Sequence, residues 1–339
     1  KMRRVARYAM KYGMTVEEYV RRFESDWLKK IILNLFIQDM PTAFVMMVVG
    51  YLFQGQLGTV EGGSLKFSLP IEKRFKNLGG KVTYNATVEK ILVENNAAVG
   101  VQLNDGSTHR ADIVISAADL HSTLYKMLGG RYMTSRITNM FQNWRMFTPI
   151  ILASFGIKGE IKHYPPTNII FLKEPLMVGG KAVEMIGVRD FSYDSTLSPK
   201  GKTVIQAEFE SSFDYWNGMH SDKERYDREK DFVAREVLKR LEGYYPGITG
   251  KVEMTDVATP YTFWRYTRNY RGAFEGWLMT KDSMKTPVEK TLPGLKNFYL
   301  AGQWVEPGGG VPTAVWSGRK IIQILCHHEG KEFVTSFPD

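Results

Sequence analysis

One cysteine, Cys326, stands among 339 residues. A lone thiol excludes an intrachain disulfide and a cysteine-based zinc site, and it fits a reducing, cytoplasmic compartment. The adjacent His327 and His328 point different ways from a helix, so no metal site is expected there. Glycine occurs 31 times, yet never as G-x-G-x-x-G, the turn that a dinucleotide-binding strand and helix require. G-x-S-x-G is missing too, which removes the nucleophile elbow of hydrolases. The most apolar run, 31–53, is interrupted by Gln38, Asp39 and Pro41. Its unbroken part, Thr42 to Phe53, is too short to cross a bilayer core. There is no internal repeat or low-complexity linker, and no nucleic-acid motif accompanies the net charge of +9.

What is present reads as an ordinary globular chain. With 43% hydrophobic and 24% charged residues, the length allows about two domains and a sizeable core. Aromatics, at 13%, suit a flat or elongated apolar ligand as well as a large core. Residues 1–30 carry nine Lys or Arg against four acids. A basic flank beside an apolar run suits an anionic membrane surface better than nucleic acid, and a solvated helix face is the competing reading.

Periodicity predicts helices over residues 1–30, with Val5, Tyr8, Ala9 and Tyr12 on one face and a new start at Thr15, an N-cap followed by Glu17 and Glu18. Thr42 to Phe53 is expected to be a buried helix or tunnel wall. A further helix should follow Gly62-Gly63 and stop at Gly79-Gly80. From Lys81 the period falls to two, predicting strands at 81–84, 88–94, 98–103 and 109–116 with turns at Asn95-Asn96 and Asp105-Gly106. Later strands are predicted at 149–156, 168–172, 183–188, 203–210 and 252–255, with a charged amphipathic helix from Lys223 to Leu241 closed by Gly243.

The stretch most informative about chemistry is Asn297 to Arg319, NFYLAGQWVEPGGGVPTAVWSGR. It reads as a short strand, a turn at Gly302, three glycines, and Pro312 opening a helix. Glycines let backbone approach a ligand, and a helix N-terminus with bare N–H groups favours an electron-rich or anionic one. A Gly-rich connector is the competing reading.

LAGQWVEPGGGVPTAVWSGR resembles the C-terminal flavin-contacting signature of phytoene-desaturase-like FAD oxidoreductases, relatives of the carotenoid isomerases and retinol saturases in the amine-oxidase superfamily. The order AGxW, PGGGVP, SGR carries the likeness. It implies that Gly302, Gln303, Gly309, Gly310 and Val311 approach FAD. Many relatives carry Thr and His where Val305 and Glu306 stand, and Gly at Thr313. The segment from Gly79 to Ala118 is similar to the second FAD-domain segment of that family. The similarity implies that Val88 lies on the adenine side and Ala117 near the dinucleotide backbone. ATPYTFWRYTRNYRGAFEGW, residues 258–277, resembles the family segment beside the substrate space and points to Tyr261, Phe263, Trp264, Tyr266 and Trp277 as substrate-facing. Arg265, Arg268 and Tyr270 are candidates for substrate or flavin contact. Glu306, the titratable group inside the flavin turn, is a candidate acid or base if apolar surroundings raise its pKa.

The resemblance implies an α/β plus α+β fold, with a partial FAD-binding domain of glutathione-reductase type, a mixed-sheet substrate domain and a helical lid. The expected division is 1–60 as lid, 61–119 and 291–339 as the FAD-binding part, and 120–290 as the substrate part. Without a glycine fingerprint the chain is expected to be an N-terminally truncated flavoenzyme, or one whose missing half comes from another polypeptide, and by itself to bind FAD weakly or not at all. The function implied is desaturation, saturation or isomerisation at carbon–carbon bonds of an apolar polyene or lipid-like substrate, with peripheral membrane contact. A non-catalytic apolar-ligand or membrane-surface module is the rival, and flavin amine oxidation ranks last because no acid positioned for a cationic substrate is legible.

Overall fold

The computed structural model describes residues 12–159, 161 and 165–335, so the helix predicted around Val5 to Ala9 lies outside the described residues. α1 (Val16–Val20) starts where predicted: the Thr15 hydroxyl accepts the Glu18 N–H while the Glu18 carboxylate accepts the N–H of Thr15. Ser25 caps α2 (Asp26–Leu35) from one side only, its hydroxyl accepting the Leu28 N–H. α3 (Thr42–Phe53) coincides with the unbroken apolar stretch. The expectation of burial is corrected, because only Thr42 and Val45 are buried while Leu52 is 62% and Phe53 87% exposed. The helix is apolar on every side but packed on one, so the rest of its perimeter meets water.

α4 (Gly63–Asn77) follows the glycine pair and stops short of Gly79, as predicted. Residues 81–84 form no strand, which corrects the period-two reading. A strand needs a neighbouring edge for its N–H and C=O groups, and among the described residues none runs beside this segment. β1 (Val88–Glu94), β2 (Ala97–Leu103) and β3 (Thr108–Arg110) make an antiparallel meander. Its first turn places Asn95 and Asn96 at φ of 48° and 59°, a left-handed pair that matches hairpin twist and that asparagine tolerates. The predicted strand 109–116 divides into β3 and β4 (Val114–Ser116) because its two ends serve different sheets.

After α5 (Ser135–Asn143), five strands build the large sheet: β5 (Ile150–Lys158), β6 (Thr167–Val178), β7 (Lys181–Asp190), β8 (Lys202–Glu210) and β9 (Val252–Ala258). Their order is β6-β7-β8-β5-β9, and every ladder is antiparallel rather than mixed. Alternation gives one face to the core: Ile151, Ala153, Phe155 and Ile157 are fully buried with Val233, Val237 and Leu241 of α7 (Lys223–Glu242). Short α6 (Phe213–Met219) precedes that helix, and α8 (Pro260–Thr267) and α9 (Lys281–Lys285) follow the sheet.

β10 (Phe298–Leu300) then pairs in parallel with β4, and the chain closes with α10 (Gly310–His328). That helix starts at Gly310 rather than at Pro312, which leaves the proline in the first turn, where a missing N–H costs nothing. A second core joins Ile91, Val114, Leu124, Trp277, Leu300 and Trp304, so the meander, the parallel pair and the segment around Trp277 pack as one body.

Candidate functional site

β4 and β10 run side by side, with Leu300 opposite Ser116, so both strands end at the same edge. The carboxyl ends of parallel strands are where α/β folds place ligands. The Ala301 N–H extends the ladder to the Ser116 carbonyl at 2.9 Å. Gly302 follows at φ 92°, where a Cβ would lie 3.2 Å from the Ala117 carbonyl oxygen. Ala117 and Gly302 are therefore neighbours. The Ser317 hydroxyl, fully buried, accepts the Gly302 N–H at 2.7 Å and donates to the Ala314 carbonyl at 2.7 Å. One side chain thus ties the strand end to the first turns of α10.

Gly308, Gly309 and Gly310 occupy φ of 121°, 72° and 81°, a left-handed run that side chains resist. A Cβ at Gly309 would overlap the Glu275 carboxylate. That carboxylate accepts the Gly310 N–H, and burial pushes its pKa up against the lowering effect of this bond. The start of α10 is therefore not bare, as the sequence reading assumed; an acid from the 274–278 segment occupies it. Gly308 N–H to the Trp277 carbonyl and Phe147 N–H to the Gly276 carbonyl wedge this segment under the turn. Gly276 must be glycine here, since a Cβ would stand 2.6 Å from the carbonyl oxygen of Gln303. Gln303 is half-buried and Val311 is 52% exposed beside the turn.

Glu306 departs from expectation. Burial alone would raise its pKa, but Lys290 at 2.7 Å and Lys320 at 2.8 Å outweigh that and hold the carboxyl below its usual range. It is a paired carboxylate, not an acid poised to give a proton. Lys290 also donates to the Val305 carbonyl at 2.6 Å, so the pair pins the loop after Trp304.

The remaining candidates scatter. Val88 opens β1 opposite Leu103, and no contact among the described residues joins it to the glycine turn. Trp277 is 1% exposed and packs edge-on against Phe141, Trp144 and Trp304, a core position that corrects the substrate-facing expectation. Tyr270 stacks on His121 at 4.1 Å and gives its N–H to Asp119. On α8, Tyr261 stacks between His220 and Trp264, Phe263 is half-buried, and Arg268 lies 4.6 Å over the Trp264 ring. Tyr266 is 75% exposed and hydrogen-bonds Arg265 at 2.8 Å. Tyr266 thus faces solvent, while Tyr261 packs against the core of the large sheet.

A cavity of about 710 Å³ lies over the open face of the large sheet, partly roofed by Asn34 and Leu35 of α2. Its lining includes Thr148, Ile150 and Phe274. The Phe274 ring packs edge-on against Phe147 at 5.5 Å, and a Cβ at Gly309 would meet Phe147 at 2.9 Å. One layer of aromatic rings therefore separates the cavity from the glycine turn. Sequence reasoning missed Glu275, whose signal was the lone acid between Phe274 and Gly276 in the aromatic-rich GAFEGW.

Residues 42–321 match the family described as flavin containing amine oxidoreductase. The chain is 27% identical over 309 residues to a chloroplastic prolycopene isomerase of Daucus carota, covering 85% of this chain and 46% of that protein. It is 25% identical over 281 residues to a neurosporene-forming phytoene desaturase of Rhodobacter capsulatus, covering 78% and 52%. It thus spans about half the length of these curated relatives. Among solved structures, an oxidoreductase from Methanosarcina mazei superposes with a TM-score of 0.61 at 17% identity, over 92% of this chain and 68% of that one. Cyclohexylamine oxidase from Brevibacterium oxydans superposes at 0.56 and 13% identity, over 94% and 68%. The shared fold is that of α/β flavoprotein oxidoreductases. With the family match extending from the start of α3 into α10, across both cores and the glycine turn, this chain belongs to the flavin-containing amine oxidoreductase family.

Proposed function

We propose that this chain supplies the substrate cavity and one wall of the flavin site of an FAD-dependent oxidoreductase that acts on carbon–carbon bonds of an elongated, lipid-like polyene. The observation that carries the reading is the single aromatic layer, Phe274 on Phe147, between the cavity and the turn at Gly309. The residues fit a flat cofactor: four glycines at positive φ keep the turn free of side chains, and the parallel strand ends and the start of α10 converge on one edge. Gly302, Gln303, Gly309, Gly310 and Val311 would hold it, with Ala117 beside them. The division into a lid at 1–60, flavin parts at 61–119 and 291–339 and a substrate part at 120–290 belongs to the same proposal.

FAD, when bound, supplies hydride exchange with the substrate carbon. The chain's own work is to place that carbon and keep water out. Phe147 and Phe274 close the inner end of the cavity, and Ile150 on the sheet holds the chain against them. Glu275 keeps a proton on its carboxyl to higher pH than an exposed acid and stands at the turn, which suits it to give or take the proton that accompanies hydride movement or double-bond shift. Desaturation, saturation and isomerisation use this arrangement in different directions. Peripheral membrane contact is supported by the exposed apolar end of α3, with Tyr51, Leu52 and Phe53.

The test is anaerobic incubation of the complete, flavin-loaded enzyme with a cis-polyene hydrocarbon, following flavin absorbance and product spectra together. A change in conjugation or geometry is expected. Loaded flavin with no product from any polyene tried would overturn the reading.

A further inference from the structure

The helices that roof the cavity form a body of their own. Val16, Val20 and Val45 are buried together, with Phe23, Ile32 and Phe36 packed on them, so α1, α2 and α3 share a small core separate from the two large ones. The Val16 N–H donates to the Met40 carbonyl at 2.9 Å, which staples the first helix to the turn before the third. The chain leaves this body through residues 54–61, an exposed stretch outside any helix or strand that includes Gly55 and Gly58.

Two sets of contacts hold the body down. On the outer side, the Lys30 ammonium of α2 sits 4.8 Å over the ring of Phe171, which straps the roof to β6, the strand that contributes Ile169 to the cavity wall. On the inner side, Lys281 donates to both carboxylate oxygens of Glu18 at 2.8 and 2.6 Å, and Asp39 pairs with Arg145. Exposed ion pairs and a single exposed cation–ring contact are weak ties. Met40 and Phe44 complete the inner side, packing in one cluster with Phe147, Leu278 and Phe274. That cluster is the aromatic layer between the cavity and Gly309.

The layer cannot stay where it is during a reaction. Reacting atoms must come within about 3–3.5 Å of each other, a gap that admits no ring between them. Phe274 therefore has to turn aside, and the side chains around it permit this, since Met40 and Met279 are flexible thioethers. Two of its neighbours, Met40 and Phe44, belong to the roof, so lifting the roof removes the backing of the ring.

We infer that α1–α3 is a lid that turns on residues 54–61 and controls both ends of the cavity at once: as Lys30 leaves Phe171 to admit the substrate, Met40 and Phe44 withdraw and free Phe274 to open the way to the glycine turn. The inference rests on the proposed function and names the gate of its cavity. Its test needs no flavin. On a Cys326→Ser background, Glu18→Cys and Lys281→Cys are joined in the full chain by a bismaleimide with a reducible disulfide in its span. Association of a conjugated polyene, followed by stopped-flow tryptophan quenching, should slow about tenfold in the joined protein and recover on reduction. Hydrogen exchange across residues 274–278 should slow with it, while exchange in β8 stays unchanged. Lys281→Glu, which sets a second acid against Glu18, is the opposite variant and should quicken association about twofold. Association that ignores the cross-link and is unchanged in Lys281→Glu overturns the lid, and exchange across 274–278 that ignores the cross-link overturns the coupling; both results leave polyene chemistry intact. No saturable binding of any polyene by the unjoined chain would sink this inference together with the function on which it rests.

Discussion

The Glu275 carboxylate fills the space that a side chain on Gly309 would need, and it accepts the N–H of Gly310. An acid from the aromatic segment and a glycine from the turn, thirty-four residues apart in the chain, thus define a single joint. Any change at either residue is felt at the start of α10.

Gly309→Ala should strain this joint twice, once through its φ of 72° and once through overlap with Glu275. A loss of about 1–3 kcal/mol in stability is expected, together with weaker flavin retention by the complete enzyme. Thermal unfolding and the ratio of flavin to protein absorbance check this. An alanine variant with unchanged flavin content would show that the turn does not face the cofactor.

Glu275→Gln tests the acid. Burial raises its folded pKa above that of the unfolded chain. The folded state therefore binds the extra proton, and the stability this confers is complete below the ordinary carboxylate range and lost as pH rises through the folded value. Glutamine does not titrate. Relative to wild type, the variant should gain in melting temperature as pH climbs from about 4.5, the ordinary carboxylate value, toward neutrality. Parallel pH profiles of Tm and turnover measure it; parallel Tm lines across that range would remove the assigned shift.

Glu306→Gln should behave oppositely. Lys290, whose side chain is 10% exposed, would lose its carboxylate partner. A penalty of roughly 2–3 kcal/mol is expected at neutral pH. Since the folded pKa of Glu306 is depressed, the stability it confers is present above the unfolded pKa and fades as pH falls through the folded one. The difference between variant and wild type should therefore close in acid. Turnover per folded enzyme should be little changed, because Glu306 is held as a paired carboxylate and is not poised to exchange a proton.

Ser317→Ala would leave the Gly302 N–H without its partner at the end of β10. An unsatisfied buried donor costs about 1–3 kcal/mol. Urea unfolding reads the loss, and Ser317→Thr should recover part of it if the hydroxyl rather than the volume matters.

Much of the fold was legible because its determinants are local. Thr15 with Glu18, Asn95-Asn96, and Lys223 to Gly243 carry their own caps and turns, and the structure places them where sequence puts them. The strands of the large sheet declare themselves by alternation, since one face is wholly apolar. Residues 81–84 misled because alternation describes a strand without supplying its neighbour. Trp277 misled because an aromatic-rich segment gives no sign of which ring turns inward. At the site, the glycine turn was readable from its own residues, but the pairing of Glu306 with Lys290 and Lys320 and the capping of Gly310 by Glu275 depend on approaches that the linear order does not encode.

The parallel pair of β4 and β10 has a consequence for handling the protein. The outer edge of β4 has no ladder partner among the described residues, and Ile113 and Ile115 are 38% and 44% exposed beside it, whereas β10 is buried and its Leu300 N–H is bonded to the Lys290 carbonyl. Such an edge is a template for strands of other molecules. Colloidal behaviour of this polypeptide should therefore be governed by this short ribbon rather than by the large sheet, with self-association that steepens with concentration and yields to a lysine at Ile115.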